Sequence, residues 1–333
     1  MIDPRECAKK LVAPGKGILA ADESVKTADK RLLACGIETG PEMRRQYREL
    51  FFGAPGIEEY LGGVILHSET LTQNANDGTP LYKLLTNRHI IAGIKVDEGT
   101  EPMPESPDEL ITKGLIGLPE RMAEFRGTYH TGFAKWRSVI TIDGDRLPTS
   151  ACIVENSKRL ASYARAVQDV GMVPILEPEV LLDGAHSRVR AREVVSETLS
   201  ALMTALADQA IDLGSAIIKT SMAVSGNKSG KIDTPEEVAA DTVSVLMEVV
   251  PADIAGIVFL SGGQSTDQAT DNLRAIAREA KTKGAPWPLT FSYARALQEE
   301  GLALWKGKSE NVEKAREAFI ARLRKVSAAT KGE

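Results

Sequence analysis

The feature of the sequence that most restricts its fold is a series of eight short apolar runs. They cover residues 17–21, 62–67, 91–96, 135–141, 172–177, 215–220, 256–261 and 288–292. Several are rich in Val and Ile, and most are apolar at consecutive positions, which is typical of parallel strands covered on both faces. The segments between them have helical periodicity. The sequence therefore predicts strands and helices in regular alternation.

Eight such alternations predict an α/β protein, a (β/α)8 TIM barrel, in a single domain spanning residues 1–333. A barrel of this kind needs about 250 residues or more. A doubly wound open sheet is the alternative, but its usual strand count is lower. Residues 99–119 are rich in Pro, Gly and acidic side chains and are expected to form a long loop after a strand. Residues 311–333 are expected to form a final helix with a short frayed tail from about residue 327.

The charge balance excludes two classes of partner. Lys and Arg number 41 against 46 Asp and Glu, so the net charge is −5, and no overall positive field attracts nucleic acid or an anionic membrane. No apolar run approaches the ~18 residues of a membrane-spanning helix. We expect neither partner, and an anionic ligand would have to bind a local group of cations.

Cysteine and histidine usage bears on the compartment and on metals. The three cysteines lack the number and spacing of a disulfide framework, and they are Cys7, Cys35 and Cys152. Free thiols indicate a reducing compartment, with the cytoplasm as the default. The four histidines are dispersed without HxH or HExxH spacing, and they are His67, His89, His130 and His186. We therefore expect no metal centre held by histidine.

Charged residues stand at the carboxyl ends of the predicted strands, where a TIM barrel carries its chemistry. They are Asp22, Glu23, Lys95, Asp97, Lys135, Arg137, Glu177, Glu179 and Lys219, with Arg295 after the eighth strand. Charge inside a barrel is costly unless it is paired or used. Because residues i and i+2 of a strand face the same way, Lys135 and Arg137 share a face, as do Glu177 and Glu179. The mouth is expected to hold mixed charges with a strong basic share.

Lys219 ends an apolar strand, and two interpretations apply. It could be a lysine that extends to the rim to keep its amine in water. Alternatively, burial and nearby cations such as Lys135 would lower its pKa and leave a neutral amine. A neutral amine is the nucleophile that forms a Schiff base with a carbonyl, a reaction that a guanidinium cannot perform at ordinary pH.

Three carboxylates accompany this lysine. Glu177 and Glu179 flank Pro178, and either could simply pair with neighbouring lysines. The functional interpretation is proton transfer, because imine formation expels water and needs a general acid, and a carboxyl in a partly dry site can have its pKa raised towards neutrality. Asp22 follows the first strand, and its local sequence suits a catalytic role and a helix N-cap equally well.

A glycine pair follows the seventh strand, in Ser261-Gly262-Gly263 just before a predicted capped helix. Backbone N–H groups at glycines and a helix N-terminus favour an anion. TIM barrels often bind phosphate at the loops after strands seven and eight, and Arg295 would add a planar cationic donor. An ordinary tight turn is the alternative.

Six strings in this order resemble class I fructose-bisphosphate aldolases over most of the chain. They are GILAADES (17–24), GIKVD (93–97), FAKWR (133–137), VPILEPE (173–179), FLSGGQS (259–265) and SYARAL (292–297), with Lys219 in its strand. The resemblance implies a metal-independent, cofactor-free lyase of glycolysis and gluconeogenesis, usually a homotetramer. It would cleave fructose 1,6-bisphosphate to dihydroxyacetone phosphate and glyceraldehyde 3-phosphate.

The resemblance also implies a role for each matching residue. Lys219 would form the Schiff base, with Glu177 as its acid and base and Lys135 assisting. Asp22 would handle the C4 hydroxyl proton, and Glu179 would orient Lys219 and its neighbours. The residues implied at one phosphate are Ser261, Gly262, Gly263 and Arg295, and those near the other are Ser24, Thr27, Lys95 and Arg137.

Two positions depart from the pattern that the resemblance implies. Ala294 stands where animal members often carry Gly, and its N–H could still reach phosphate if its φ is negative. Thr27 replaces a Ser and keeps the hydroxyl. The alternative activities are another Schiff-base aldolase or transaldolase, such as one acting on sedoheptulose bisphosphate, and a non-catalytic scaffold. A scaffold would need none of the four residues Lys219, Glu177, Lys135 and Asp22.

Overall fold

A computed structural model describes residues 2–333, and within them eight parallel strands close into a barrel. The ten strands of these residues are β1 (Gly17–Ala21), β2 (Leu61–Leu66), β3 (Ile91–Lys95), β4 (Thr100–Met103), β5 (Ser106–Thr112), β6 (Phe133–Ile140), β7 (Val173–Val180), β8 (Ile217–Thr220), β9 (Gly256–Phe259) and β10 (Leu289–Tyr293). Around the barrel the order is β1-β10-β9-β8-β7-β6-β3-β2. The single-domain (β/α)8 barrel is therefore confirmed, and each of the eight apolar runs contributes a strand to it.

Helices surround the barrel and lie against the outer faces of its strands. The twelve within residues 2–333 are α1 (Pro4–Leu11), α2 (Val25–Ala34), α3 (Pro41–Phe52), α4 (Ser68–Leu71), α5 (Leu81–Thr86), α6 (Leu118–Tyr129), α7 (Ser150–Asp169), α8 (Arg188–Asp208), α9 (Pro235–Val249), α10 (Thr266–Lys283), α11 (Arg295–Trp305) and α12 (Val312–Ala329). Helices on the outside explain why the strands are apolar on both faces. No helix of residues 2–333 combines the length and apolar character needed to cross a bilayer.

Two expectations about local structure were wrong. The segment 99–119 is not a plain loop, because β4 and β5 pair within it as an antiparallel hairpin. The end of the chain is not frayed from residue 327: α12 continues to Ala329, which is buried. The carbonyls of Gly332 and Glu333 then accept hydrogen bonds from Arg278 and Arg274.

The longest strand pairing of the barrel joins β6 to β7. Eight consecutive residue pairs run from Phe133 and Val173 to Ile140 and Val180. Pro178 lies within this ladder although proline cannot donate a hydrogen bond. It is tolerated because β7 pairs with β8 only at Ile175 and Leu176, so the later part of β7 has one strand partner and behaves as an edge there.

The lower half of the barrel interior is apolar and closed by α1. Phe133 lies there with Ile18, Ile175, Ile217 and other inward-facing residues, against Cys7, Ala8, Leu11 and Val12 from α1 and its end. The ring of Phe133 leaves no room for a side chain on Gly93, where a Cβ would lie 2.2 Å from it. The space between the strands is therefore filled at this end, and the barrel interior opens at the opposite end.

The inward-facing residues are apolar at the start of the strands and charged towards their carboxyl ends. Inward positions follow every second residue, so Phe133 is succeeded by Lys135 and Arg137. In the same way Ile175 is succeeded by Glu177, and Ile217 by Lys219. Because all eight strands are parallel, these charges meet at one end of the barrel, which we call the mouth.

Candidate active site

A cavity of about 580 Å³ opens at the mouth. All thirteen residues that the sequence nominated line it, namely Asp22, Ser24, Thr27, Lys95, Lys135, Arg137, Glu177, Glu179, Lys219, Ser261, Gly262, Gly263 and Arg295. They lie in or after seven of the eight barrel strands, every one except β2, and are far apart in the chain. The barrel therefore brings the nominated residues into one place.

A chain of four alternating charges forms the floor of the cavity. Lys219 Nζ lies 2.9 Å from Glu177 Oε1, and Lys135 Nζ lies 3.2 Å from Glu177 Oε2. Lys135 Nζ also lies 2.6 Å from Asp22 Oδ2. The side chains of Lys219, Glu177 and Lys135 are each 5% exposed or less, so water screens these interactions weakly. This line of contacts offers a path for protons from Asp22 to Lys219.

The electrostatics of this chain differ from expectation at Glu177. Burial raises the pKa of Glu177, but the cations of Lys135, Lys219 and Arg137 outweigh it, and the net pKa is lowered. The expectation of a pKa raised towards neutrality was therefore wrong for the unliganded protein. A carboxylate between two ammonium groups is favoured as the anion, since both neighbours stabilise its charge.

Asp22 and Lys135 are held as a firm ion pair. Burial opposes ionisation of Asp22, but Lys135, Lys219 and Lys95 lower its pKa to about 2. Burial likewise opposes the charge of Lys135, and Asp22, Glu177 and Asp97 raise its pKa above the ordinary lysine value. Asp22 is not a helix cap, because the N-cap of α2 is Ser24, which accepts a hydrogen bond from the N–H of Thr27. The helix N-cap role of Asp22 is therefore excluded, and its carboxylate lines the cavity instead.

Glu179 pairs with a cation other than Lys219. Its carboxylate pairs with the guanidinium of Arg137, and within residues 2–333 it makes no ion pair with Lys219. Glu179 therefore holds a neighbouring cation of the site, and its influence on Lys219 stays a prediction. Beside this pair, Lys95 Nζ lies 2.7 Å from Asp97 Oδ1, which holds another cation at the cavity wall.

A backbone turn that suits an anion lies at the opposite wall. Gly262 and Gly263 have φ values of 53° and 94°, a region that disfavours side chains, and α10 begins just beyond them with Ser265 as its N-cap. Arg295 is exposed and forms no ion pair within residues 2–333, and its Nη2 lies 3.5 Å from where a Cβ on Gly263 would be. Ala294 has a φ of −106°, the negative value under which its N–H was expected still to reach a phosphate.

A second polar group sits at the start of α2. The hydroxyls of Ser24 and Thr27 lie 3.0 Å apart at the N-terminus of the helix, where the helix dipole favours an anion. Both residues line the cavity. With Lys95 and Arg137 they supply the donors that the sequence nominated for a second anionic group.

Two polar residues of the cavity, Arg31 and Ser292, were missed by the sequence reasoning. Arg31 of α2 donates to Tyr47 Oη at 3.3 Å and to Gln298 at 3.0 Å, and it pairs with Glu23. No sequence pattern marks Arg31, because its partners come from α3 and α11. Ser292 is buried with its hydroxyl unpartnered within residues 2–333, and its inward position on β10 was the signal that could have found it.

The cavity contains no group of side chains arranged to bind a metal ion within residues 2–333. Within residues 2–333, no three His, Cys, Asp or Glu side chains converge on a position where they could hold an ion. The carboxylates of the floor are instead paired with lysines. Metal independence stays a prediction that needs a chelator experiment.

Replacing Asp22 by Asn is expected to lower the free energy of unfolding at pH 7 by about 2 kcal/mol, since one pKa unit corresponds to about 1.4 kcal/mol. The folded-state pKa of Asp22 is about 2, against an ordinary value of 3.8. Its contribution is therefore complete above about pH 4 and is lost as the pH falls towards 2. Urea unfolding at several pH values between 7 and 3 measures this.

The matched control is Asp253→Asn, because Asp253 is exposed and has no ion pair within residues 2–333. Its stability should stay within about 0.5 kcal/mol of the unaltered protein. A difference between the Asp22 variant and the unaltered protein that stays constant from pH 5 to pH 3 would contradict the assignment.

Comparisons with known proteins agree on one family. Residues 4–333 match the family model described as fructose-bisphosphate aldolase class-I. A probable fructose-bisphosphate aldolase class 1 of Xanthomonas axonopodis pathovar citri is 44% identical over 328 residues, covering 98% of this chain and 97% of its own. The cytosolic fructose-bisphosphate aldolase 6 of Arabidopsis thaliana is 46% identical over 321 residues, covering 96% and 88%.

A solved structure is similar over the same extent. Fructose-bisphosphate aldolase from Plasmodium falciparum, crystallised with TRAP and a small-molecule inhibitor, superposes with a TM-score of 0.95. The two chains are 43% identical, and the match covers 99% of this chain and 94% of the other.

Proposed function

Because the chain belongs to the class I fructose-bisphosphate aldolase family, we propose that it cleaves fructose 1,6-bisphosphate reversibly through an imine on Lys219. The products are dihydroxyacetone phosphate and glyceraldehyde 3-phosphate. The observation that carries the proposal is the Lys219 amine, buried at the cavity floor and 2.9 Å from the Glu177 carboxylate. A carboxylate at this distance can take the ammonium proton and free the nitrogen for attack.

Imine formation uses this pair of groups. Lys219 passes a proton to Glu177, and the neutral amine attacks the C2 carbonyl to give a carbinolamine. Glu177 then protonates the carbinolamine hydroxyl, which leaves as water and yields a protonated imine and a free carboxylate. Since the pKa of Glu177 is lowered in the unliganded protein, the proton for dehydration comes from Lys219 and not from a resting acid.

Cleavage of the C3–C4 bond uses Asp22 and Lys135, at the end of the chain of charges away from Lys219. The protonated imine withdraws electrons from the C3–C4 bond while Asp22 accepts the C4 hydroxyl proton. The bond breaks, glyceraldehyde 3-phosphate leaves, and an enamine remains on Lys219. Lys135, 2.6 Å from Asp22, stabilises the carboxylate until that step. Protonation at C3 and hydrolysis of the imine release dihydroxyacetone phosphate.

Two groups of anion donors on opposite walls favour a bisphosphate. The Ser261–Gly263 turn and Arg295 follow β9 and β10, while Lys95 and Arg137 lie at the ends of β3 and β6. In the strand order, β9 is four strands from β3, and β10 is four strands from β6, which is halfway round the barrel. A monophosphate transaldolase would need one such group. A sedoheptulose bisphosphate activity fits the same donors and can be assayed alongside.

Borohydride trapping tests the proposal. The protein is incubated with dihydroxyacetone phosphate, reduced with sodium borohydride and digested, and the labelled peptide is sequenced. We expect a stable adduct on Lys219 and activity that EDTA leaves unchanged, since the imine replaces a metal as the electron sink. An adduct on another residue, or no adduct together with cleavage that EDTA abolishes, would overturn the mechanism.

Replacing Arg295 by Ala is expected to raise the KM for fructose 1,6-bisphosphate by about 10- to 100-fold, because a charge-assisted hydrogen bond contributes about 1.5–3 kcal/mol. Cleavage of a non-phosphorylated ketose should change little. Steady-state kinetics on both substrates measure the difference. The control is Arg165→Ala, which removes a half-buried arginine of α7 that lies outside the cavity. Equal losses on both substrates would count against a phosphate role.

The remaining expectations are proposals that rest on the family. We propose a homotetramer, a cytoplasmic location, and a place in glycolysis and gluconeogenesis. The location is supported by three free cysteines and by the cytosolic Arabidopsis relative. Light scattering that gave a mass far from four times 35.9 kDa would overturn the tetramer.

A further inference from the structure

A second cavity, of about 430 Å³, lies at the end of the barrel opposite the mouth. Its lining includes Ile91 and Ala92 at the start of β3 and Gly132 just before β6, and in a parallel barrel these strand starts face away from the catalytic groups. Cys7 and Lys10 of α1 form another side. We call this space the basal cavity.

Basic residues dominate the polar lining of the basal cavity. Lys10, Arg126, His89 and His130 all line it, and none of its lining residues is acidic. None of the four forms an ion pair within residues 2–333. A cluster of basic groups without a carboxylate is notable in a protein whose net charge is −5, because like charges repel unless an anion lies between them.

Arg126 has a buried hydrogen-bond donor without an acceptor within residues 2–333. Its Nη1 donates to the carbonyl of Thr131 at 2.9 Å, which fixes the guanidinium at the end of α6. Its Nε is buried and has no partner within residues 2–333. A buried donor left unpaired costs about 1–3 kcal/mol, and more for a charged group. An acceptor supplied by a ligand would remove that cost.

The two histidines occupy strained backbone positions. His89 has a φ of 61° and His130 a φ of 54°, just after α5 and at the C-cap of α6. Glycine is the usual residue there because the left-handed conformation costs other residues roughly 1–2 kcal/mol. Histidine at both places puts an imidazole beside the cavity where a glycine would have been easier to accommodate.

The lining thiol does not offset these charges. Burial raises the pKa of Cys7 to about 11, against the opposing influence of Arg126 and Lys10. Cys7 therefore stays a neutral thiol near pH 7 and donates to the carbonyl of Gly132 at 3.5 Å. The rest of the lining is largely apolar, with Ile2, Ile90 and Ile91.

We propose that the basal cavity binds a small organic phosphate, with its phosphate between Arg126, Lys10 and the two imidazoles and its carbon skeleton against the isoleucines. A phosphate has enough acceptor oxygens to bond several separate donors at once, which suits four basic side chains from three segments better than a carboxylate would. The volume accommodates a molecule of a few carbon atoms. The site is separate from the mouth and does not depend on the proposed activity.

NMR of the four histidines tests the site in the full-length protein. His89 and His130 line the basal cavity and report on it. His67 follows β2 and lies near enough to the mouth for the charges of Lys95 and Asp22 to act on its ring, so it reports on the mouth. His186 lines neither cavity. Glycerol 3-phosphate should shift the ring signals of His89 and His130 in a saturable way, and glycerol should not. Inorganic phosphate should shift the same two signals. Any effect at the mouth appears separately at His67.

Two variants and a control define the outcome. Arg126→Gln and Lys10→Gln should each weaken the midpoint of the His89 and His130 shifts by at least about tenfold, as expected for one charge-assisted contact. Lys10 is exposed, so that variant folds even if the other does not. Lys83→Gln removes an exposed charge of α5 that does not line the cavity and should leave the midpoint unchanged. No saturable shift, shifts unaffected by both variants, or equal shifts with acetate would overturn the proposal.

Discussion

Replacing Lys219 by Met is expected to lower kcat for fructose 1,6-bisphosphate cleavage by on the order of 10⁵-fold or more, as loss of a covalent nucleophile does elsewhere. Methionine fits the space of the lysine stem but cannot form an imine. The chain of charges loses one cation, and Glu177 keeps Lys135 as a partner at 3.2 Å. The protein should therefore fold, which circular dichroism and thermal unfolding would show. A coupled assay of glyceraldehyde 3-phosphate measures the rate.

Lys219→Arg separates charge from nucleophilicity. Arginine keeps the cation beside Glu177 but stays protonated and forms no imine, so this variant should be as inactive as the methionine variant. Lys283→Met is the control, since Lys283 is exposed on α10. Residual activity above about 1% in either Lys219 variant, or a borohydride adduct still formed, would show that another amine carries the reaction.

Replacing Glu177 by Gln is expected to lower kcat by about 10²- to 10⁴-fold, the usual contribution of a general acid or base. The amide matches the carboxylate in shape but cannot take the proton of Lys219, 2.9 Å away. Imine formation should become the slow step, so borohydride trapping should slow in proportion to kcat. Rapid-quench trapping at timed intervals measures that rate beside the steady-state assay.

Glu179→Gln is the matched control for this variant. Glu179 lies two residues along the same strand and also lines the cavity, but its partner is Arg137. We expect a smaller loss in kcat and a larger effect on KM, because Arg137 would lose the group that holds it at the cavity wall. If the Glu179 variant trapped substrate more slowly than the Glu177 variant, the roles of the two carboxylates would have to be exchanged.

Most of what could be predicted from the sequence came from the pattern of apolar and charged residues along single strands. The apolar runs predicted the eight barrel strands, and the charge at every second position placed Lys135, Glu177 and Lys219 at one end. Parallel strands bring their carboxyl ends together whatever their separation in the chain. Positions on the strands could therefore be predicted without knowing any contact.

Contacts between side chains could not be predicted in this way. The low pKa of Glu177 depends on two lysines from neighbouring strands, β6 and β8, and the partner of Glu179 depends on the register of β6 against β7. Arg31 and its partners Tyr47 and Gln298 come from three helices, and no local pattern connects them. The hairpin of β4 and β5 was missed because Thr100, Glu101 and Pro102 are exposed and give no apolar signal.

The continuous pairing of β6 with β7 has a consequence for how this protein can change over evolution. Two cations and two carboxylates of the site are carried by these strands, and eight paired residues fix their heights relative to one another. An insertion or deletion of one residue within either strand would turn its charges towards the surrounding helices. Length variation among descendants of this sequence should therefore be absent from these two strands and should accumulate at places such as the tip of the hairpin, between Met103 and Ser106.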